Sequence, residues 1–172
     1  DVISDISGDG KETVYIATDG NGVHFLSHKD RKVVRRFFHD VNDKEGIRSN
    51  SIYSLLVDDR GAVWVGHFQA GLDYSLYQNG LFRTYAYLPQ FNSANLSIRS
   101  FVNRGPEKVI GSRDGLFYIN EATGIVKSFV KPVLTSDLIL TICFYEGEYY
   151  IGTYGGGMMV LNPQTLSLKY FT

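Results

Sequence analysis

The chain has 172 residues, a formal net charge of −1, 44% hydrophobic residues and 20% charged ones. That is enough for one domain with a real core and too apolar for a disordered chain. Its charge offers no basic face dense enough to follow a phosphate backbone, and no apolar run approaches the ~18 residues of a membrane span.

Aromatics reach 14%, with 18 Gly against 4 Pro, a composition that favours short strands joined by many turns. The chain opens at "DVISDISG" without an initiator Met and reads as a piece of something longer. From there four parts follow in order. An apolar strand, "VISDI", leads into a Gly turn, "SGDGK". A strand–turn–strand, "VYIATDGNGVHF", comes next, and an aromatic strand, "VVRRFF" (Val33 to Phe38), closes the group.

The same four parts recur three times. The strand–turn–strand returns as "VWVGHFQAGLDY" from Val63, "VIGSRDGLFY" from Val109 and "YYIGTYGGGMMV" from Tyr149. A small residue ends its first strand each time: Ala17, Gly66, Gly111 and Gly152, spaced 49, 45 and 41 residues apart. A second glycine follows four or five residues on, at Gly22, Gly71, Gly115 and Gly157. The small column predicts tight packing between neighbouring sheets, and the second glycine a turn that needs φ > 0 or close backbone approach. Four short strands per ~40–45 residues are the signature of a β-propeller blade. The fold class expected is therefore all-β, a propeller fragment of about four four-stranded antiparallel blades, at residues 1–46, 47–92, 93–134 and 135–172. The second strands are apolar on both faces, as blades covered on both sides require. Lys108 departs from that pattern and predicts a place where packing loosens. Cys143, in the apolar run "LTICFY", reads as a small core residue and can make no internal disulfide.

Signals for chemistry are weak. "DISGDG" (Asp5 to Gly10) opens like a calcium loop, but the twelfth position is Ile16 where a bidentate Glu is needed. "GNG" and "GGG" lack the Lys-Ser/Thr of a phosphate loop. His24 and His28 share a strand face without a third metal ligand, and His39 and His67 stand apart. Asp19, Asp114 and Asp137 are not paired by the sequence as glycosidase carboxylates would be, and G-x-S-x-G is absent. No catalytic residue, metal or cofactor is assigned.

"NSIYSLLVDDRGAVWVGHFQAGLDYSLYQNGLFRTY" (Asn50 to Tyr85) resembles the two-component regulator propeller repeat. The resemblance rests on Asn50, Ser51, Ser54, Asp58 or Asp59, Gly61, Trp64, Gly66, Gly71, Leu72 and Tyr74. The fourth unit matches through "YIGTYGGGMMVLNPQT", and the first and third more loosely. His67 replaces the usual Thr, and Val109 the usual Trp. The resemblance implies part of the periplasmic sensor region of a hybrid two-component histidine kinase of Gram-negative gut bacteria. There, seven-bladed propellers precede an immunoglobulin-like domain, a membrane span and the kinase, and many such sensors respond to oligosaccharides. The expected partners are then an oligosaccharide and the remaining blades of the parent propeller. Nucleic acid and membrane contact are not expected. The alternative is a protein–protein interaction or dimerisation scaffold without a small ligand.

Antiparallel connectivity puts the second-to-third strand turns at the same end as the links between blades. Those links, such as "HDVNDKEGIRSN" (His39 to Asn50), are longer and more polar than the opposite hairpins, so a ligand is expected at that end. The candidate contacts are Asp19, Asn21, His67, Phe68, Gln69, Arg113, Asp114 and Tyr154. Asp and Asn there also serve as ordinary turn formers. No strand exchange closes the arc, so exposed end faces and self-association are expected.

Overall fold

The computed structural model describes residues 2–43, 45–75, 82–84 and 96–171. The second repeat's fourth strand, expected over Leu81 to Tyr87, and the link expected over Tyr87 to Ser97 lie largely outside the described residues. Sixteen strands and no helix are present among those described. They form four antiparallel four-stranded sheets, each in simple sequence order. The first holds β1 (Val2–Gly8), β2 (Thr13–Asp19), β3 (Val23–Ser27) and β4 (Lys32–Phe37); the second β5 (Ile52–Val57), β6 (Val63–His67), β7 (Leu72–Ser75) and β8 (Arg83–Thr84). The third holds β9 (Ile98–Arg104), β10 (Glu107–Ser112), β11 (Gly115–Asn120) and β12 (Ile125–Phe129). The fourth holds β13 (Ile139–Tyr145), β14 (Glu148–Thr153), β15 (Met158–Leu161) and β16 (Leu168–Phe171). The chain divides into two compact units, Asp1–Ile98 and Arg99–Thr172.

In the first unit the facing sheets share one core. Tyr15, Ala17, Val23 and Phe25 of the first sheet meet Ile52, Leu55, Val63 and Val65 of the second. Edge-on rings extend it, Phe25–Phe37 at 4.5 Å and Phe37–Phe82 at 5.0 Å between centroids. Burying each of these large side chains stabilises by about 1.5–3 kcal/mol. The two inner strands are also tied by side chain to backbone: Ser4 Oγ donates to Ile52 O (2.6 Å), Asp5 Oδ2 accepts Leu55 N (2.7 Å) and Ser7 Oγ accepts Val57 N (3.0 Å).

The second unit repeats the scheme. Val109, Leu116, Tyr118 and Phe129 pack with Ile139, Ile142, Tyr149 and Ile151, and Ser100 Oγ accepts Ile142 N at 2.9 Å. Glu107 accepts two phenols across the sheets, from Tyr118 and Tyr149, each at 2.8 Å. Burial, then these bonds to a carboxylate, push both phenols above the ordinary tyrosine range.

The small column works as the spacing predicts. Register pairs Gly66 with Ser54 and Gly152 with Thr141, after a β-bulge in β5 and in β13. A Cβ on Gly111 would stand 2.5 Å from Ile139 Cγ2 and 3.1 Å from Ile142 Cδ1. Isoleucine from the neighbouring inner strand therefore occupies the space that glycine vacates. The second glycines bear out the turn argument: Gly22, Gly71, Gly115 and Gly157 have φ of 67°, 79°, 132° and 73°.

The hairpin turns at the other end are organised by carboxylates. Asp58 Oδ1 accepts the amides of Arg60 and Ala62, and its Oδ2 accepts Trp64 Nε1 at 3.2 Å. Asp9 plays the same part in the first sheet, accepting Lys11 N and Thr13 N. Burial alone would raise its pKa, but these donors outweigh it and hold the carboxyl below the usual range. The carboxylates of "DISGDG" are thus committed to Leu55 and to their own turn.

Two expectations are corrected. Lys108 does not mark loose packing: it is 4% exposed, and its Nζ sits 2.6 Å from Glu121 Oε2, which makes burial of the ammonium tolerable. Cys143 is not a core residue but exposed. The bulge between Ile139 and Thr141 resets the alternation of β13, so that Ile139 and Ile142 point inward and Cys143 does not.

Candidate functional site

Hydrogen bonds place the second-to-third strand turns beside the links, as connectivity requires. In the first unit Asn50 is the node. Its carbonyl accepts Gly20 N (3.0 Å) and Gly22 N (2.9 Å), and its Oδ1 accepts His39 N (2.7 Å). A Cβ on Gly22 would meet Phe37 O and Asn50 Oδ1, so this glycine serves close approach as well as positive φ. In the second unit Asp137 does the work of Asn50, accepting Lys131 N at 2.6 Å, while Tyr154 N donates to Leu138 O.

A hydroxyl column closes the turns from inside. Thr18, Ser112 and Thr153 each donate to the carbonyl of the second glycine at 2.9–3.0 Å. In the second sheet His67 takes that position and does something else. It is fully buried, its Nε2 lies 2.9 Å from Asp73 Oδ2, and Asp73 also accepts Arg48 N and faces Arg48 Nε at 3.8 Å. His67 Nδ1 is buried without a hydrogen-bond partner among the described residues.

The remaining candidates of the first unit lie on one loop surface. Asp19 is exposed and bonds Ser51 Oγ; Ser51 O in turn accepts Phe68 N (3.0 Å). Asn21 is half-buried, its amide bonded to Thr18 Oγ1 and its carbonyl to His24 Nε2, the turn role expected of it. Gln69 is exposed at φ 54°, held by its amide on Ser97 Oγ (3.2 Å). Phe68 is half-buried and pairs with Tyr53, ring centroids 5.1 Å apart and planes at 36°. Tyr53 is the residue that sequence reasoning missed. It sits in the β-bulge between Ile52 and Ser54, a device that re-aims a side chain. The signal was present: an aromatic at the free position of "NSIYS".

The second unit carries Arg113, Asp114 and Tyr154 on its own turns. All three are exposed, Tyr154 to 68%. Asp114 N donates to Ser112 Oγ (2.9 Å), again a turn role. The eight candidates thus fall into a group of five and a group of three. Among the described residues no cluster of three metal-ligating side chains exists.

Comparison with known proteins agrees with this architecture. Residues 46–69 match the two component regulator propeller family. A comparison with curated protein sequences gives no match. Among solved structures, the extracellular domain assigned to the hybrid two component system BT3049 of B. thetaiotaomicron superposes with a TM-score of 0.75 at 25% identity, over 99% of this chain and 22% of that one. The extracellular domain assigned to the one component system BT4673 of the same organism gives 0.75 at 24% identity, over 96% and 21%. The beta-propeller domain of Myceliophteria thermophila Cps50 (Swd1) gives 0.66 at 14% identity, over 98% and 57%. The chain spans about a fifth of the length of the two bacterial proteins. Its fold is that of a β-propeller, and within it residues 46–69 match the two component regulator propeller repeat.

Proposed function

We propose that this chain is part of the periplasmic sensor region of a hybrid two-component system, and that its loop surface helps to hold an oligosaccharide. The observation that carries the ligand reading is the Tyr53–Phe68 pair on the first unit's loop surface. Saccharides are gripped by aromatic faces against the apolar side of the ring and by hydrogen-bonding groups for the hydroxyls. Gln69 and Asp19 supply such groups on the same loop surface: Ser97 Oγ holds the Gln69 amide, the Ser51 hydroxyl donates to the Asp19 carboxylate, and Ser51 O holds the Phe68 amide. Phosphoryl transfer belongs to segments of the parent protein other than this chain.

The test is calorimetric titration of the complete extracellular region against an oligosaccharide panel. Binding should weaken at least about tenfold, ~1.4 kcal/mol, in Phe68→Ala or Tyr53→Ala. A complete extracellular region that binds no glycan overturns the reading. A second reading, an interaction scaffold without a small ligand, draws on the exposed apolar residues of β1 and β16. It predicts a protein partner that those side chains contact and no response to glycans.

A further inference from the structure

One position in each sheet stands just beyond the hydroxyl column: Asp19, Phe68, Arg113 and Tyr154 follow Thr18, His67, Ser112 and Thr153. In the first unit that position joins the two sheets. Asp19 forms a backbone bridge to Ser51, and its carboxylate accepts the Ser51 hydroxyl. Ser51 O holds the Phe68 amide at 3.0 Å, and Tyr53, two residues on, pairs with the Phe68 ring. One carboxylate and two aromatic rings are thus gathered around Ser51.

Charge at this end is unbalanced. Asp19 is exposed, and among the described residues no cation lies within ion-pair distance of it. The basic groups of that end are committed elsewhere: Arg48 faces the buried Asp73 at 3.8 Å, His24 Nε2 lies 3.0 Å from Asn21 O, and His39 Nδ1 lies 2.8 Å from Ile47 O. Asp40 and Asp43 of the link take up amides of their own segment, Asn42 N and Glu45 N. Asp19 spends its Oδ1 on Ser51, and its Oδ2 has no hydrogen-bond partner among the described residues.

A carboxylate without a counter-ion, beside ring faces, has one chemical complement. An ammonium gains an ion pair from the carboxylate and is attracted by the negative faces of the rings. An anionic group is repelled there, and a neutral hydroxyl gains only an ordinary hydrogen bond. On the saccharide reading of this surface, we infer that the ligand is an amino sugar with a free amine. Its ammonium meets Asp19 and its apolar ring face lies on Phe68 and Tyr53. Asp19 is then the residue that sets the choice against neutral and acidic sugars.

Calorimetric titration of the complete extracellular region at low salt tests this, with a β-linked glucosamine tetramer, the equivalent glucose tetramer and a galacturonate tetramer. The glucosamine tetramer should bind about tenfold tighter than the glucose one, from one exposed ion pair and one cation–π contact. The galacturonate tetramer should bind weakest, and the preference should shrink as salt rises. Asp19→Asn keeps an oxygen for the Ser51 hydroxyl, so its urea midpoint should match the parent. In that variant the glucosamine and glucose tetramers should bind within about twofold of each other, and Asp19→Glu should restore the preference. Phe68→Ala should weaken both tetramers, which a contact made by charge alone would not do. Equal binding of the two tetramers by the parent overturns the inference. So does a preference that survives Asp19→Asn, or a lysine tripeptide that binds as tightly as the glucosamine tetramer. If neither tetramer binds but another glycan does, the amine assignment falls and the saccharide reading stands. If no glycan binds, both fall.

Discussion

Gly66→Val tests the idea that the small column is set by space rather than by backbone conformation. The φ of Gly66 is not in the left-handed region, so any residue could adopt its backbone. What a Cβ meets there is Ser54 Oγ, then Ile98 Cγ2 at 3.0 Å and Ile98 Cβ at 3.2 Å. Ser54 Oγ is buried without a hydrogen-bond partner among the described residues, so turning it away loses little. Ile98 is β-branched, stiff at χ1 and 1% exposed, so it cannot yield cheaply. Overpacking of this kind costs about 1–3 kcal/mol. Replacing Gly in a strand returns about 0.4–1 kcal/mol by restricting the unfolded chain. Gly66→Ala should therefore lose about 1 kcal/mol and Gly66→Val, with two more methyls against Ile98, about 2–3 kcal/mol. Urea unfolding read as a shift in midpoint at constant slope measures both. Gly66→Ala combined with Ile98→Ala should lose less than the two single changes added together, since Ile98→Ala removes Cγ2, the Ile98 atom that stands nearest the new methyl. A Gly66→Val protein that unfolds at the parent midpoint, or strict additivity in the double variant, would refute the packing argument.

Other perturbations reach different parts of the molecule. Asn50→Ala should cost about 1 kcal/mol by stranding His39 N, whereas Asn50→Asp should hold near the parent, because Asp137 does the same work in the second unit; thermal unfolding of both variants decides. Burial pushes the Tyr15 phenol up to about 12, with the charge of Asp9 adding to it. The unfolded phenol ionises near 10, so this stability is intact below pH 10, falls as pH rises and is spent by pH 12. The loss is of the order of 2 kcal/mol by the ~1.4 kcal/mol carried by each pKa unit. Tyr15→Phe should flatten that part of the alkaline unfolding curve and, since the hydroxyl is buried without a partner among the described residues, should not destabilise at pH 7. A variant equally sensitive between pH 10 and 12 would exclude Tyr15 as a source. His67→Thr restores the hydroxyl of the other repeats but leaves Asp73 buried with less to pair it, and should cost about 1–3 kcal/mol in urea unfolding. His67→Thr with Asp73→Asn should recover part of that, since the neutral amide leaves no unpaired charge and its oxygen can still accept Arg48 N.

Much of the fold was legible because a repeat states each rule four times. The small column, the second glycines and the apolar inner strands are all visible as columns, and each corresponds to one physical demand: space for an isoleucine, a positive φ, a buried face. The errors came where a residue departs from simple alternation. Cys143 was misplaced because a β-bulge is not written in hydrophobicity, and only the register shift between Ile139 and Thr141 reveals it. Lys108 was misread because its counter-ion, Glu121, lies thirteen residues away on the next hairpin, beyond the reach of any local pattern. Of the candidate site, the loop surface could be deduced from connectivity alone. The individual contacts could not: His67 was expected beside Phe68 in the loop, but it ends a strand and points into the core.

On the proposed ligand reading, the place of His67 marks where this repeat carries specificity. A column shared by all four sheets is under the same packing demand four times and has little room to vary. Information has to enter where one sheet breaks its column without breaking the fold. The second sheet does so twice at the same end. Replacing the hydroxyl by His67 removes a side-chain clasp on the second glycine, and Asp73 and Arg48 provide a different one. Placing Tyr53 in the bulge then pairs an aromatic with Phe68, where the equivalent bulge residues of the first and fourth sheets are Ser4 and Leu140. The buried His67–Asp73 pair fixes the strand end from which Phe68 and Gln69 project. The two departures are therefore one arrangement, a rigid base and the ring pair that it presents, and loss of the base should displace the rings before it unfolds the sheet.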